Sequence, residues 1–321
     1  MSRTYLVTGA AGFIGSHTAI ALLRAGHRVI GLDNYNDYYD PSRKRANTDA
    51  VRAEGGEFLM VEGDLRDRAL VERVFRSHPF DGVAHLAAMA GVRVSVEDPW
   101  LYYDVNVTGT LNLLDAAARH GRPNFVFAST SSAYGRTEQV PFVETDRADR
   151  PLAPYPSSKR GAELLGHSYH HIQGLDFTAL RFFTVYGERG RPDMMAYLVF
   201  ESMRHGRPVP LYNGGQMYRD WTYVGDIVSG ITAALERRLG YEIINLGRGE
   251  PVLLSDFVRA LEDLTGKPAN FLSEPMMAAD VSYTYANIDK ARRLLDYDPK
   301  VSVDDGIRRF HDWYVDAVGR F

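Results

Sequence analysis

The chain has 321 residues and a mass of 36.0 kDa, room for one large α/β unit carrying a smaller appendage. Hydrophobic residues make up 45% and charged residues 24%, with a mean hydropathy of -0.27, a globular balance in which no apolar run approaches the roughly 20 residues that cross a bilayer. A formal net charge of -4 argues against a broad nucleic-acid binder, and the lack of cysteine excludes disulfides, thiol nucleophiles and thiolate-ligated metals.

From the amino end, Thr4-Tyr5-Leu6-Val7-Thr8 is a short β-rich run that ends in a glycine-rich turn, after which residues 13–24 carry a helical pattern. Met1-Ser2-Arg3 leads into that motif rather than into a signal sequence, so a cytoplasmic location is expected. A second strand over 28–32 ends at Asp33 and is followed by a polar, tyrosine-rich loop and a helix. The cycle resumes with strands over 57–61, 82–86 and 124–129, while 101–119 and 157–172 have helical length and spacing. Strands alternating with helices imply an α/β fold whose core is a doubly wound parallel sheet covered on both faces. Past Phe183 the regularity breaks: residues 187–193 and 211–220 are rich in glycine, arginine and polar side chains, as expected of loops that reach over a site. The expected organisation is a sheet domain over 1–180 and a smaller, interleaved C-terminal α/β lobe over 181–321, with some segments of the lobe returning to the sheet.

Gly9-Ala10-Ala11-Gly12-Phe13-Ile14-Gly15 puts three glycines where the first strand turns into the first helix. One serves the turn, one lets the backbone approach a pyrophosphate at the helix N-terminus, and one permits close helix packing, the arrangement of a Rossmann dinucleotide site. Asp33 closes the second strand about 20 residues on, where a carboxylate accepts hydrogen bonds from a ribose and repels a 2′-phosphate, so NAD is favoured over NADP. Asn34 is placed with Asp33, and Asp64 with Leu65 after the third strand; these and the strand end Leu86-Ala87-Ala88 suit adenine-ring and backbone contacts, or are ordinary strand termini.

Tyr155 and Lys159 are four apart at the start of a helix, so both side chains project from one face. An ammonium near a phenol favours the phenolate and lowers its pKa toward working pH, as a general base for an alcohol requires. Ala128-Ser129-Thr130-Ser131-Ser132-Ala133-Tyr134-Gly135 supplies hydroxyls at the carboxyl edge of the sheet, where ligands bind in such folds. His167 and His171 have a spacing that can ligate zinc, but no third ligand is evident and no metal is expected.

Taken together, Gly9 to Gly15, Asp33, the hydroxyl run and the Tyr155 and Lys159 pair resemble the extended short-chain dehydrogenase/reductase superfamily over essentially the whole chain. Asp33-Asn34-Tyr35-Asn36-Asp37-Tyr38-Tyr39-Asp40-Pro41, Ala90-Gly91-Val92-Arg93, Leu180-Arg181-Phe182-Phe183-Thr184-Val185-Tyr186-Gly187 and Gly190-Arg191-Pro192-Asp193-Met194 are similar to UDP-glucuronate 4-epimerases. The resemblance implies Tyr155 and Lys159 as catalytic residues with Thr130 assisting, a tightly bound NAD recycled in each turnover, a UDP-sugar substrate and a homodimer. Neither a nucleic acid nor a membrane is expected as a partner.

Related dehydratases carry an Asp-Glu pair after the assisting hydroxyl, and UDP-glucuronate decarboxylases a glutamate; here Ser131 and Ser132 stand there, which leaves reversible oxidation at C4. A 4-keto-uronate is a β-keto acid that loses CO₂ readily, so its carboxylate must be held, and Ser131, Ser132 and Thr184 are the expected donors. Arg191 and Arg219 are expected at the diphosphate, the latter within Arg-Asp-Trp-Thr-Tyr, close to the family's Arg-Asp-Phe-Thr-Tyr. Asp226 is expected to cap the next helix. The family's Pro-Gly-Asp-Val is replaced by Met276-Met277-Ala278-Ala279-Asp280-Val281, a departure at a loop that contacts the diphosphate. The alternatives are a UDP-glucose/UDP-galactose 4-epimerase, a UDP-glucuronate decarboxylase and a non-catalytic NAD-binding sensor.

Overall fold

The computed structural model describes residues 2–276 and 280–319. Its first part alternates strands and helices: β1 (Thr4–Thr8), α1 (Phe13–Arg24), β2 (Arg28–Asp33), α2 (Pro41–Ala53), β3 (Phe58–Glu62), α3 (Arg68–Ser77) and β4 (Gly82–His85). There follow α4 (Val94–Glu97), α5 (Pro99–Tyr103), a π-helical stretch (Asp104–Gly109), α6 (Thr110–Arg119), β5 (Asn124–Thr130), α7 (Pro154–Gln173) and β6 (Phe177–Phe182). The remainder comprises β7 (Thr184–Tyr186), α8 (Met195–His205), β8 (Val209–Tyr212), β9 (Tyr218–Tyr223), α9 (Val224–Glu236), β10 (Tyr241–Leu246), β11 (Pro251–Leu253), α10 (Leu254–Thr265), β12 (Phe271–Glu274), α11 (Asp289–Leu295) and α12 (Val303–Ala317).

Seven parallel strands in the order β10-β6-β5-β4-β1-β2-β3 make the main sheet. The chain winds outward from β1 and then reverses to β4, leaving a switch point between those two strands, where a crevice opens at their carboxyl ends. Both faces are covered because each strand is apolar on both sides: Tyr5 and Val7 pack into the layer with Ile20 of α1 and Ile227 of α9, while Leu6 packs with Val71 of α3, Leu113 of α6 and Ala162 of α7. At the switch point the buried His85 ring meets Thr8 Oγ1 through Nδ1 at 2.8 Å and Thr110 Oγ1 through Nε2 at 2.8 Å. Burial and the Lys159 charge hold that imidazole well below its usual pKa, so it serves as a neutral tie between β1, β4 and α6.

Two smaller sheets, β11-β9-β7 and β12-β8, pack with α8, α10 and α12 into a further layer. Its core is aromatic, with Trp221 stacked on Phe257 at 3.8 Å and Phe200 on Phe310 at 5.0 Å. Residues 211–220, expected as a loop, instead hold the end of β8, a 3-10 turn over Asn213–Gly215 and the start of β9. The partners that make these strands, β12 and β11, lie far along the chain. The helix expected over 101–119 is interrupted by the π-helical stretch, where Asn106 turns inward: its side chain accepts from Met89 N at 2.9 Å and donates to Met89 O at 2.9 Å and Ser158 Oγ at 3.0 Å. Asp226 lies in the first turn of α9, but its carboxylate accepts from Lys300 N at 3.1 Å and Val301 N at 3.2 Å. It tethers a distant segment rather than capping its own helix.

Candidate active site

The first helix turn forms a backbone cradle. Gly9 has φ +69°, and a Cβ there would lie 2.8 Å from Ala87 N; a Cβ on Gly15 would lie 1.9 Å from Gly9 O. No side chain fits at either position, so the turn packs closely on itself and on Ala87, and its bare backbone lines the crevice. Asp33 accepts from Ala11 N at 3.1 Å and Tyr35 N at 2.9 Å; burial pushes its carboxyl up, opposed by those bonds and by Lys44. Asp64 is bound by Arg66 at 2.8 Å and by Asn34 Nδ2 at 2.9 Å, which hold its carboxyl down at about 2, with Arg66 the leading cause. The residues expected at a cofactor, from Gly9 through Ala88, line one cavity together with Tyr155, Lys159 and Arg191. A narrow turn without side chains, a carboxylate at the second strand end and a long apolar wall fit an adenine dinucleotide.

Proline at the start of α7 opens the helix and sets Tyr155 in its first turn, with Lys159 one turn further on the same face. Lys159 is buried, its Nζ 4.4 Å from the Phe127 ring centroid, and burial lowers its pKa to about 7 against the opposing pull of Glu163. The Tyr155 ring meets Tyr102 edge to face at 6.1 Å. The expected lowering of the Tyr155 phenol is corrected by the structure: burial raises it, and the Thr130 hydroxyl and the Arg191 charge pull it back without overcoming burial. Desolvation penalises the phenolate as it penalises the ammonium. Beneath the pair, Glu163 is fully buried, accepting from Ser129 Oγ at 2.6 Å, Arg160 Nη1 at 3.0 Å and Arg181 at 2.8 and 2.9 Å.

Ser131, Ser132, Thr184 and Arg219 line a second cavity, which adjoins the first where Thr130 ends β5 and Pro156 follows Tyr155. Thr130 Oγ1 accepts from Ser132 N at 3.1 Å, fixing the turn that divides the cavities. Arg191 does not join Arg219, as was expected of two diphosphate ligands, because its loop runs back along the first cavity. What faces Arg219 instead is Arg93, whose Nη2 donates to Asp280 Oδ2 at 2.8 Å while its guanidinium lies 3.7 Å over the Tyr212 ring. Burial lowers the Arg219 pKa and the Asp280 charge raises it. Of the departing Met276-Met277-Ala278-Ala279 segment, 277–279 lie outside the described residues. Sequence reasoning quoted Arg93 and Arg181 only within family-like motifs, with no role of their own, and missed Glu163, for which the i, i+4 continuation from Lys159 was the local signal.

A model of the NAD dependent epimerase/dehydratase family matches residues 5–247. The UDP-glucuronate 4-epimerase of Thermodesulfobacterium geofontis is 43% identical over 317 residues, covering 98% of this chain and 97% of that protein. Among solved structures, the UDP-glucuronic acid 4-epimerase of Bacillus cereus in complex with UDP-glucuronic acid and NAD is similar with a TM-score of 0.89 and 34% identity, covering 97% of this chain and 98% of that one. The UDP-glucose 4-epimerase of Thermotoga maritima with UDP-glucose also reaches 0.89, at 30% identity over 98% of this chain and 99% of that one. The two bear on one fold and two sugars, so the choice between sugars rests on the residues of the site.

Proposed function

The chain belongs to the NAD dependent epimerase/dehydratase family and is an NAD-dependent UDP-sugar 4-epimerase, and we propose that its sugar is UDP-glucuronate, interconverted with UDP-galacturonate. The observation that carries this is the second cavity: Ser131, Ser132 and Thr184 line it together with Pro156, the residue that follows Tyr155 of the first cavity. Three hydroxyls at the sugar end suit a carboxylate held by hydrogen bonds. Elimination of water would call for an acid and a base there. Among the described residues Asp280 is the carboxylate lining that cavity, and it is engaged by Arg93 at the arginine end.

In this proposal Tyr155 takes the proton of the C4 hydroxyl, with Thr130 bonded to the same oxygen, and returns it after the 4-keto sugar has turned over. NAD bound in the first cavity would supply reversible hydride acceptance at C4, so that no net oxidation results. Lys159, one turn beyond Tyr155 and lining the same cavity, is assigned to assist that proton transfer, in a site where burial opposes the ionised phenol and the Thr130 hydroxyl and the Arg191 charge favour it. Arg219, with Arg93 beside it, takes the diphosphate, and Arg191, which shares the cavity of Tyr155, meets the sugar carboxylate from that side of the boundary between the cavities while the three hydroxyls hold it from the other. Gly9, Gly12, Phe13, Ile14 and Gly15 take the pyrophosphate of the cofactor, Asp33 with Asn34 its ribose, and Asp64, Leu65 and the 86–88 strand end the adenine side.

We further propose a cytoplasmic homodimer. Trp100 on α5, Leu111 on α6 and Leu164 and Ile172 on α7 are apolar side chains left 84%, 38%, 53% and 73% exposed, and α5 and α6 both pack on α7, which suits a face shared with a second copy. Incubating the protein separately with UDP-glucuronate and UDP-glucose, and resolving the epimers by NMR, tests the substrate. Conversion of UDP-glucose at an equal rate would select the hexose epimerase instead.

A further inference from the structure

At the reacting end of the first cavity the loop after β2 approaches the loop after β7, and one carboxylate joins them. Asp193 accepts two bonds from Arg191, Nε to Oδ1 at 2.9 Å and Nη2 to Oδ2 at 2.9 Å, and a third from Tyr38 Oη to Oδ2 at 3.1 Å. Each loop is anchored independently of this junction. Lys44 on α2 donates to Asn36 O and Asn36 Oδ1, both at 2.7 Å, which fixes the tyrosine-rich loop. On the other side His17 of α1 donates to the Glu188 carbonyl at 2.8 Å, and Tyr223 Oη donates to the Glu188 carboxylate at 2.7 Å.

The junction is built to close tolerance. Gly91 has φ +117°, and a Cβ there would come within 2.8 Å of the Tyr38 hydroxyl, so the space that Tyr38 uses exists because position 91 lacks a side chain. Asp193 sits at the rim, 39% exposed, whereas Arg191 is 24% exposed and reaches inward to the cavity lined by Tyr155. A guanidinium has five N–H donors; Asp193 takes one on Nε and one on Nη2, leaving both on Nη1 and the second on Nη2 for a ligand. A free arginine side chain would lose much rotamer freedom on meeting an anion, and a carboxylate gripping one edge of the fork removes most of that loss beforehand.

We propose that Asp193, anchored from the opposite lobe by Tyr38, is a positioning residue that holds the Arg191 guanidinium at the reacting end of the cavity, turned to receive the anionic group of the sugar. This rests on the assignment of Arg191 to the substrate made above.

The test is a double-mutant cycle on the holoenzyme, with UDP-glucuronate and UDP-glucose binding followed by calorimetry and turnover recorded in parallel. Asp193→Asn is expected to weaken UDP-glucuronate binding roughly tenfold and Tyr38→Phe about threefold, the scale of one charge-assisted bond and one partly exposed bond. Neither should cost more than about twofold once Arg191→Ala is present, because their effect passes through Arg191. Binding of UDP-glucose, which has no carboxylate on its sugar, should change little in Asp193→Asn. Bound NAD and the melting temperature report whether each variant keeps its fold. If Asp193→Asn costs as much in the Arg191→Ala background as in the wild type, or nothing in either, Asp193 is not a positioning residue for Arg191. If Arg191→Ala alone binds UDP-glucuronate as tightly as the wild type, the assignment of Arg191 to the substrate fails and takes this proposal with it.

Discussion

Arg181 grips the fully buried Glu163 carboxylate at 2.8 and 2.9 Å, one helical turn beyond Lys159. Register makes the pair possible: Arg181 on β6 lies opposite Ser129 on β5, and Ser129 Oγ donates to the same carboxylate at 2.6 Å. The Arg181 guanidinium also lies 4.4 Å from the Tyr134 ring centroid. Losing one member would leave a buried charge without its partner, at a cost of about 3–5 kcal/mol. Glu163→Gln should therefore be strongly destabilised toward urea. Glu163→Gln combined with Arg181→Met should recover much of that loss; simple addition of the two single losses would show that the residues do not act as a unit.

The Lys159 ammonium makes stability depend on pH. Its pKa in the folded protein is about 7, against an ordinary 10.5, because burial disfavours the charge. Between those values the unfolded chain holds the proton that the folded chain has released, so stability rises with pH across that window. The cost of burying the charge is felt in full below pH 7, on the order of 5 kcal/mol. Lys159→Met in protein freed of cofactor should melt higher than the wild type at pH 6, with the advantage shrinking toward pH 9. The same variant should lose epimerase activity. Equal melting curves at pH 6 would refute the electrostatic account.

Tyr155→Phe removes the acid/base and keeps the ring that packs edge-on against Tyr102. Turnover should fall by at least about 10²–10⁴-fold, while NAD content and nucleotide affinity stay close to those of the wild type. Activity within a factor of a few of the wild type would remove Tyr155 from the mechanism.

The parts of the site that could be read from the sequence are those set by local geometry. The glycine turn, Asp33 at the end of its strand, and the four-residue step from Tyr155 to Lys159 need only a strand, a turn and a helix to be meaningful, and the structure brings them to one cavity. What was not legible depends on distant partners. Strands β8 and β9 exist because β12 and β11 pair with them, and glycines 214 and 215 between them read locally as loop. Arg191 and Arg219 look equivalent as arginines in irregular segments, yet the path of each loop sends them to different cavities. The upward direction of the Tyr155 shift is not legible in the sequence either, since a neighbouring ammonium can be counted from spacing while the depth of burial cannot.

The hydroxyls of the second cavity give the substrate proposal a chemical signature. A carboxylate gains charge-assisted hydrogen bonds worth about 1.5–3 kcal/mol each, where a hydroxymethyl group gains weaker ones, so UDP-glucuronate should be preferred over UDP-glucose by roughly ten- to a hundredfold per bond. The same bonds restrain the intermediate. At the 4-keto stage the carboxylate is β to a carbonyl, and it departs as CO₂ most easily when the bond to it can rotate into line with the carbonyl π system. Donors from Ser131, Ser132 and Thr184 would hold the carboxylate out of that alignment and keep its charge solvated. Ser131→Ala with Ser132→Ala, or Thr184→Ala, should therefore divert part of the flux to CO₂ and a UDP-4-keto-pentose, measured by NMR of the released nucleotide sugars. The wild type should release little of either. A wild-type product that is mainly the decarboxylated pentose would make the protein a decarboxylase, and variants that lose rate without releasing CO₂ would show that these hydroxyls bind the sugar without guarding its carboxylate.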